Sequence, residues 1–159
     1  MQTELLVRDA ATTDITFLAD SNAAMALETE RKRLDRDTLQ NGVRGIFTQP
    51  QRGFYLIAQR GSQAVGCLLV TREWSDWRNG DWWWLQSVYV VPAERRRGVF
   101  RALHAEVERR AREGFDVIGL RLYVEKDNRA AQMTYATVGL VKTQYQLLEK
   151  AGLREEPAT

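Results

Sequence analysis

Cysteine and histidine are nearly absent from this chain of 159 residues, which contains one of each, Cys67 and His104. A single cysteine excludes an intrachain disulfide and indicates a reducing compartment. One histidine and one cysteine are too few ligands for a typical structural zinc site, so we expect no metal. The N-terminus shows no secretory pattern, and no apolar run is long enough to span a bilayer. We therefore expect a cytoplasmic protein without a membrane partner.

The chain also has little net charge. Its 23 Lys and Arg residues against 21 Asp and Glu residues give a formal charge of +2, which offers no overall support for binding to nucleic acid or to a membrane surface. Positive charge is instead locally dense at Arg95–Arg97. The apolar fraction of 44% and the charged fraction of 28% are ordinary for a soluble globular protein. The length fits one domain with a substantial core.

Hydrophobic periodicity and turn residues predict one α/β domain over residues 1–150 and a frayed tail over 151–159. The predicted strands are 5–8, 53–58, 64–71, 82–91, 117–124 and 141–148, and the predicted helices are 15–30, 35–47, 96–113 and 128–138. This order, β-α-α-β-β-β-α-β-α-β, is typical of an α/β (α+β) fold with a mixed central sheet. We expect the second and third strands to form a hairpin. The strand-helix-strand unit over 84–124 should be a right-handed crossover between parallel strands.

An arginine-rich turn, Arg95-Arg96-Arg97-Gly98-Val99-Phe100, connects the strand that ends before Pro92 to an amphipathic helix. The first turn of a helix has backbone N–H groups without internal partners, and the positive end of the helix dipole lies there. Gly98 lets a large anion approach the backbone, and the arginines add forked donors. Cations at this end oppose the dipole unless an anion is bound. The turn therefore predicts a phosphate or pyrophosphate site, without the glycine pattern of a Rossmann turn or P-loop.

Two segments resemble the GNAT superfamily of acyl-CoA N-acyltransferases. The turn is similar to that family's Gln/Arg-x-x-Gly-x-Gly/Ala pattern, although Phe100 replaces the last small residue and narrows the expected acyl-CoA site. The stretch from Asn128 to Leu140 is similar to the family's later Asn-x-x-Ala-x-x-x-Tyr-x-x-x-Gly-Phe segment. The resemblance extends from Leu5 to about Leu148. It implies a single GNAT-like domain that uses acetyl-CoA and releases CoA.

The resemblance also implies roles for individual residues. Backbone groups of Val88 and Val90, beside a splayed strand, would bind the pantetheine arm and the thioester. Asn128 would contact the same arm, and Tyr135 would be the general acid for the leaving thiolate. The alternative for Tyr135 is a core tyrosine with its hydroxyl at the rim. The backbone amides expected to hold the pyrophosphate are those of Arg95, Arg96, Arg97, Gly98, Val99 and Phe100.

The residues on the acceptor side are less determined. An ammonium group must lose a proton before it attacks, and a carboxylate or an ordered water commonly accepts that proton. Glu28 and Glu30, at the end of the first helix, are the candidates, because the resemblance places this junction beside the acceptor pocket. Residues two apart do not share a helix face, so we expect one of them to point inward; a solvated helix end is the alternative. Gln86 and Ser87 are further candidates that would order a water.

The five tryptophans are confined to residues 74–84. Strand alternation places Trp82 and Trp84 on one face of the sheet and Trp83 on the other. We expect at least two of the five to pack in the core or at a dimer interface; the alternative is an aromatic wall beside a cationic substrate. His104 is expected at the surface or partly buried, without a metal. Cys67 is expected in the core.

These observations predict an enzyme, an N-acetyltransferase that moves the acetyl group of acetyl-CoA to a primary amine by direct attack in a ternary complex. A small cationic amine is favoured as acceptor, while amino acids, polyamines, aminoglycosides, small toxins and protein amines stay open. The alternative is a non-catalytic acyl-CoA-binding sensor. An RNA-binding role for the arginine-rich helix would require a steep salt dependence and is disfavoured, so we expect no nucleic-acid partner. A homodimer is consistent with exposed aromatics.

Overall fold

The computed structural model describes residues 4–153, so the first three residues and positions 154–159 of the predicted tail lie outside the described residues. The strands are β1 Leu5–Asp9, β2 Gly53–Arg60, β3 Gln63–Ser75, β4 Gly80–Val90 and β5 Val117–Arg121. The helices are α1 Ile15–Glu30, α2 Arg36–Thr48, α3 Val99–Glu113 and α4 Arg129–Ala136. No helix within residues 4–153 is long and apolar enough to cross a membrane.

The five strands form one mixed sheet in the order β1-β2-β3-β4-β5. The first four strands pair antiparallel, whereas β4 and β5 are parallel. The predicted α/β class, the hairpin of β2 and β3 and the parallel crossover through α3 are therefore confirmed. A strand that returns to its own sheet in parallel needs such a crossover, and α3 supplies it.

Two apolar cores cover the two faces of the sheet. On one face, α3 inserts Leu103 and Val107 against the β2–β4 side chains Leu56 and Leu85. On the other face, α1 and α2 pack Leu18 and Val43 against residues that include Cys67. The sheet is covered on both sides, which explains why β2 and β3 are almost continuously apolar.

Cys67 lies in the second core, as predicted, and burial raises the pKa of its thiol to about 12. Because the thiolate is the reactive form, the native protein should show no reaction with a thiol reagent at pH 8. Titration with Ellman's reagent should report no thiol before unfolding and one thiol per chain in 6 M guanidinium. Reaction of the folded protein within minutes would contradict the buried placement.

The alternation predicted for the tryptophans is confirmed. Trp83 is buried on the α3 side, where its ring meets Phe54 edge-on at 5.3 Å. On the opposite face Trp82 stacks under the Arg121 guanidinium at 3.9 Å, and Trp84 lies beside Tyr123. Trp83 packs in the core and Trp82 and Trp84 are half-buried, while packing of any tryptophan at a dimer interface stays a prediction. Trp83 alone of the five is buried, because α3 covers its face of the sheet.

His104 is buried at 4% exposure, so the expectation of a surface or partly buried residue is wrong. Its position in the helix, one residue after Leu103, turns it towards β5. Burial lowers the pKa of its imidazole, opposed by Glu108, whose carboxylate is 3.9 Å from Nδ1.

The lowered pKa of His104 predicts an acid-sensitive fold. Below the unfolded-state pKa of about 6.5 the unfolded chain binds a proton that the folded chain refuses, so stability falls as the pH drops towards the folded pKa. The free energy of unfolding in urea should therefore decrease from pH 7 towards pH 5. His104→Gln should show a shallower decrease than the wild type over this range. Equal slopes would exclude His104 as the cause.

The structure corrects two predicted boundaries and one predicted strand. Helix α3 begins at Val99 rather than at residue 96, because Arg96 and Gly98 adopt left-handed φ angles of 62° and 80° that break helical geometry. Strand β5 ends at Arg121, three residues early. The predicted strand over 141–148 is wrong: these residues form neither helix nor strand. Alternating polarity is a local signal, and a strand forms only where another strand accepts its hydrogen bonds.

Candidate active site

A bulge in β4 opens one side of the sheet. The register between β3 and β4 shifts so that Cys67 faces Tyr89 while Leu69 faces Gln86, which leaves two β4 residues opposite Leu68. Ser87, within the bulge, adopts a φ of 49°. Pairing between β4 and β5 involves only residues 81–84 of β4, and β5 ends at Arg121. Beyond Trp84, β4 therefore has a free edge among the described residues.

The backbone groups of Val88 and Val90 face this free edge. The Val91 N–H donates to the Val65 carbonyl of β3 at 3.0 Å, and successive residues of a strand point to alternate sides. The groups of Val88 and Val90 therefore point away from β3. The carbonyl of Val90 already accepts a hydrogen bond from Nε of Arg95 at 3.0 Å. Both predicted residues thus line one open edge.

The arginine-rich turn forms a nest of backbone donors beside this edge. Within the described chain, the N–H groups of residues 96–101 make no hydrogen bond, and the first bond of α3 is from Ala102 to Gly98 at 3.0 Å. A Cβ added at Gly98 would meet no described atom within 4 Å. Six unpaired donors at a helix N-terminus, with open space before them, form an anion-binding site.

Ion pairs that were not predicted from the sequence stabilise the arginine-rich turn. Glu94 accepts hydrogen bonds from Nε of Arg60 at 2.7 Å and from Nη1 of Arg97 at 2.8 Å. Nη2 of Arg60 also donates to the Arg97 carbonyl at 3.3 Å. Arg60 belongs to β2, so no local pattern links it to the turn. Arg96 is exposed and has no partner within residues 4–153.

Glu28, one of the predicted acceptor-side carboxylates, points towards the turn. Its Oε2 accepts a hydrogen bond from Nη2 of Arg95 at 2.6 Å, and its Oε1 accepts one from the Tyr89 hydroxyl at 3.1 Å. The Arg95 guanidinium also lies 5.6 Å from the Tyr89 ring centroid. Burial, followed by the Glu28 carboxylate, raises the pKa of Tyr89. Tyr89 was not among the predicted residues, because nothing in an apolar strand marks it.

Glu30 points instead into a cavity of about 310 Å³ between α1, α2 and the β4 bulge. Its carboxylate pairs with Lys32 at 2.7 Å. The two carboxylates therefore point in different directions, as expected for residues two apart on a helix, and the acceptor-side role of either stays a prediction. The other residues that line this acceptor-side cavity are Asn22, Met25, Ala26, Thr29, Lys32, Leu34, Leu39 and Ser87.

One wall of the acceptor-side cavity holds an unsatisfied polar atom. Oδ1 of Asn22 is buried and has no hydrogen-bond partner among the described residues. Burial raises the pKa of the adjacent Tyr55, whereas hydrogen bonds from the side chains of Asn22 and Ser87 lower it. An unpaired buried acceptor costs about 1–3 kcal/mol, so a ligand that donates a hydrogen bond gains by pairing with it. Asn22 was missed because one asparagine within a helix carries no signal of burial.

Of the two water-ordering candidates on β4, only Ser87 lines the cavity. Nε2 of Gln86 donates to the Thr71 hydroxyl on β3 at 2.6 Å, and Gln86 does not line the cavity. The bulge places Ser87 in the cavity wall beside Asn22. Regular strand alternation predicts that Gln86 and Ser87 face opposite sides, and this expectation is wrong. The bulge interrupts the alternation, since Leu85 and Val88 both pack in the α3-side core, and the two residues between them share the opposite face.

Tyr135 lies on α4 and faces the start of α3. Its ring meets that of Phe100 edge-on at 5.3 Å, and Phe100 lies 5.9 Å from the His104 ring. Burial raises the pKa of Tyr135, and its hydroxyl makes no hydrogen bond within residues 4–153. Asn128 caps α4, since its Oδ1 accepts a hydrogen bond from the Ala131 N–H at 3.1 Å. Phe100 thus fills the space between the two helices.

Residues 17–140 match the family model described as the acetyltransferase (GNAT) family, well over half of the chain. The chain belongs to this family. A solved structure described as a possible acetyltransferase from Clostridium difficile 630 is 35% identical, with 94% of this chain and 99% of that chain covered and a TM-score of 0.88. The GNAT fold predicted from the two segments is confirmed.

More distant solved structures share the GNAT fold. A predicted acetyltransferase from Clostridium acetobutylicum, solved with acetyl-CoA, is 15% identical, with 92% and 96% of the two chains covered and a TM-score of 0.76. The aminoglycoside N-acetyltransferase AAC(6')-Iy, solved with CoA, is 16% identical, with 95% and 97% covered and a TM-score of 0.76. No match to a curated protein was found.

Proposed function

We propose that this GNAT protein transfers the acetyl group of acetyl-CoA to the primary amine of a small cationic substrate by direct attack in a ternary complex. The observation that carries the proposal is the position of the acceptor-side cavity. It meets β4 at the Ser87 bulge, and the free edge of β4 leads from that bulge to the arginine-rich turn. One continuous surface would thus join an anion-binding nest to the acceptor-side cavity, which has Asn22 in its wall.

The nest and the free edge fit the chemical groups of acetyl-CoA. The N–H groups of residues 96–101, with Arg96 and Arg97, would hold the pyrophosphate. The backbone groups of Val88 and Val90 would bind the pantetheine arm, and the free N–H of Val88 would face the thioester carbonyl, where negative charge develops. Acetyl-CoA supplies the activated acetyl group. The complexes of two distant relatives with acetyl-CoA or CoA are consistent with this assignment.

The domain, residues 1–150 in our proposal, would use Glu30 and Tyr135 for proton transfer. Both oxygens of Glu28 are engaged by Arg95 and Tyr89, so Glu28 would connect the first helix to the cofactor turn. Glu30 faces the cavity and would accept a proton from the ammonium group, directly or through a water held by Ser87. The Tyr135 hydroxyl, protonated at neutral pH, would protonate the departing thiolate.

The acceptor class follows from the cavity walls. Glu30 and the unpaired amide oxygen of Asn22 favour a cation that donates hydrogen bonds and that would compete with Lys32 for the Glu30 carboxylate, and the volume of about 310 Å³ limits the part of the substrate that enters. A structural neighbour, AAC(6')-Iy, was solved with a bisubstrate analogue of CoA and an acetylated neamine. An amino sugar or a polyamine therefore heads the list of acceptors to test.

Free-thiol release from acetyl-CoA, measured against a panel of amines, tests the proposed activity. We expect turnover with at least one small cationic amine and little with neutral or anionic amines. Tight binding of acetyl-CoA without turnover on any amine in the panel would contradict the enzyme and favour the acyl-CoA sensor.

Asn22→Ala should raise the KM for the amine about tenfold and leave the KM for acetyl-CoA unchanged. The substitution removes one hydrogen bond to a charged donor, worth about 1.5 kcal/mol. Steady-state kinetics with each substrate varied in turn will measure both constants. Asn41→Ala, on the exposed surface of α2, is the matched control. An equal rise in both KM values would indicate a general structural defect rather than lost amine recognition.

A further inference from the structure

The acceptor-side cavity contains a primary amine that belongs to the protein itself. The lysines of the chain are Lys32, Lys126, Lys142 and Lys150. Among the described residues, Lys32 is the one lysine that lines this cavity, together with Glu30 and Ser87. Its side chain ends in an ammonium group at neutral pH, which is the chemical group of the proposed acceptor. The protein thus places an amine of its own where a substrate amine is expected.

The end of α1 fixes the position of Lys32. Arg31 adopts a left-handed φ of 55°, which ends the helix and turns the chain back over its last turn. The Lys32 N–H then donates to the Ala26 carbonyl at 3.2 Å. Ala26 also lines the cavity. This hydrogen bond therefore holds the Lys32 backbone at the cavity wall.

The Lys32 ammonium lies against the carboxylate that we propose as the proton acceptor. Its Nζ is 2.7 Å from Oε2 of Glu30, and the two side chains are 66% and 51% exposed. An ion pair this open to solvent contributes little to stability. The flexible four-carbon chain of Lys32 can therefore change rotamer and move Nζ along the wall towards Ser87. Lys32 and Glu30 thus stand as a substrate amine stands beside its base.

The thioester is proposed to bind at the same cavity. Ser87 of the β4 bulge lines the cavity, and the next residue, Val88, is proposed to present its N–H to the thioester carbonyl. Lys32 and the bound acetyl group would then share one compartment. A nucleophile and an electrophile held on one molecule react without a bimolecular encounter, which raises the rate above that of a free lysine side chain.

We propose that this protein acetylates its own Lys32 from bound acetyl-CoA when no amine substrate occupies the cavity. Self-acetylation rests on the proposed transfer of acetyl groups to amines and adds a modification site to it. One proton of the Lys32 ammonium passes to Glu30, and the freed lone pair of Nζ attacks the thioester carbonyl carbon. The C–S bond then breaks and the thiolate takes a proton from Tyr135, which the second nitrogen proton replaces. The products are Nε-acetyl-lysine, CoA and the proton that Glu30 releases to solvent.

The first test is to incubate the full chain with acetyl-CoA and no amine. Intact-mass spectrometry should show one added acetyl group, and peptide mapping with the protease Glu-C should place it on Lys32. The rate at Lys32 should exceed the rate at each of the other three lysines by about tenfold or more, because those lysines report the uncatalysed reaction in the same sample. The rate constant should be the same at 1 and 50 µM protein, since the reaction occurs within one molecule.

Three variants separate catalysis at the cavity from ordinary surface reactivity. Lys32→Arg keeps the charge and should gain no acetyl group above the background of the other lysines, whereas Lys126→Arg should be acetylated like the wild type. Glu30→Gln should slow acetylation of Lys32 about tenfold or more without changing the rate at Lys126, because it removes the proton acceptor. Thermal unfolding should place all three variants close to the wild type, since the replaced side chains are exposed.

The outcomes distinguish self-acetylation from the proposed function. Equal rates at all four lysines, or a rate constant that rises in proportion to protein concentration, would overturn self-acetylation. Turnover on the amine panel with Lys32 unmodified would reject self-acetylation alone and leave the proposed function standing. An unmodified Lys32 together with no turnover on any amine would reject both.

Discussion

Replacing Arg96 and Arg97 together with alanine should weaken acetyl-CoA binding about 10- to 100-fold and leave the fold intact. Hydrogen bonds to charged groups contribute about 1.5–3 kcal/mol, and tenfold in affinity corresponds to about 1.4 kcal/mol. Both arginines are exposed, and Arg97 already forms an ion pair with Glu94. The loss of binding free energy per arginine should therefore lie at the low end of this range. The exposed Arg97 pair contributes about 1 kcal/mol or less to stability. Isothermal titration with CoA gives the affinity.

The control for this pair is Arg112→Ala, which removes one arginine at the opposite end of α3. It should leave the CoA affinity unchanged, and thermal unfolding should place all variants within a few degrees of the wild type. Raising the salt concentration should weaken binding to the wild type more than to the double variant. An unchanged CoA dissociation constant in Arg96→Ala/Arg97→Ala would remove the anion-site assignment.

Much of the fold was predictable because its signals are local. The apolar spacing on α1 and α3, the polar turn between β2 and β3, and the glycine after α3 are each short patterns that one helix or one strand satisfies alone. The parallel crossover followed from chain connectivity. The start of α3 was not predictable to the residue. Helical periodicity does not report the left-handed φ angles of Arg96 and Gly98, which delay the helix to Val99.

The parts that failed depend on partners distant in sequence. His104 is buried because α3 orients its side chain towards β5. The segment 141–148 is not a strand because it forms no ladder of hydrogen bonds with β5, the last strand of the sheet. Neither outcome is encoded within a few residues of the position concerned. The same reason explains why the alternating pattern of residues 141–148 predicts a strand that the structure does not contain.

The candidate site likewise has a part that was predictable from local sequence and parts that were not. Its turn was found because consecutive residues supply the donors and the charges, whereas its supports come from other elements. Arg60 reaches Glu94 from β2, and Arg95 reaches Glu28 across from α1. The unpaired oxygen of Asn22 depends on the packing of α1 over the β4 bulge. A contact between two side chains far apart in the chain leaves no trace in a single sequence.

Tyr135→Phe should lower kcat about 100-fold or more while leaving the KM for acetyl-CoA nearly unchanged. A positioned general acid contributes about 10²- to 10⁴-fold, and phenylalanine removes only the hydroxyl. The ring that packs edge-on against Phe100 is retained, so the junction of α3 and α4 should keep its geometry. Tyr123→Phe, at an exposed tyrosine beside Trp84, is the matched control and should retain full turnover.

The pH profile separates an acid role from a packing role for Tyr135. Burial raises the pKa of the phenol above its usual value of 10, so the hydroxyl keeps its proton throughout the neutral range. The kcat of the wild type should therefore hold up to about pH 10 and fall only as the phenol ionises. In Tyr135→Phe the alkaline fall should be absent and the low kcat independent of pH in this range. Full turnover in Tyr135→Phe, or the same alkaline fall in both proteins, would assign the proton to another donor.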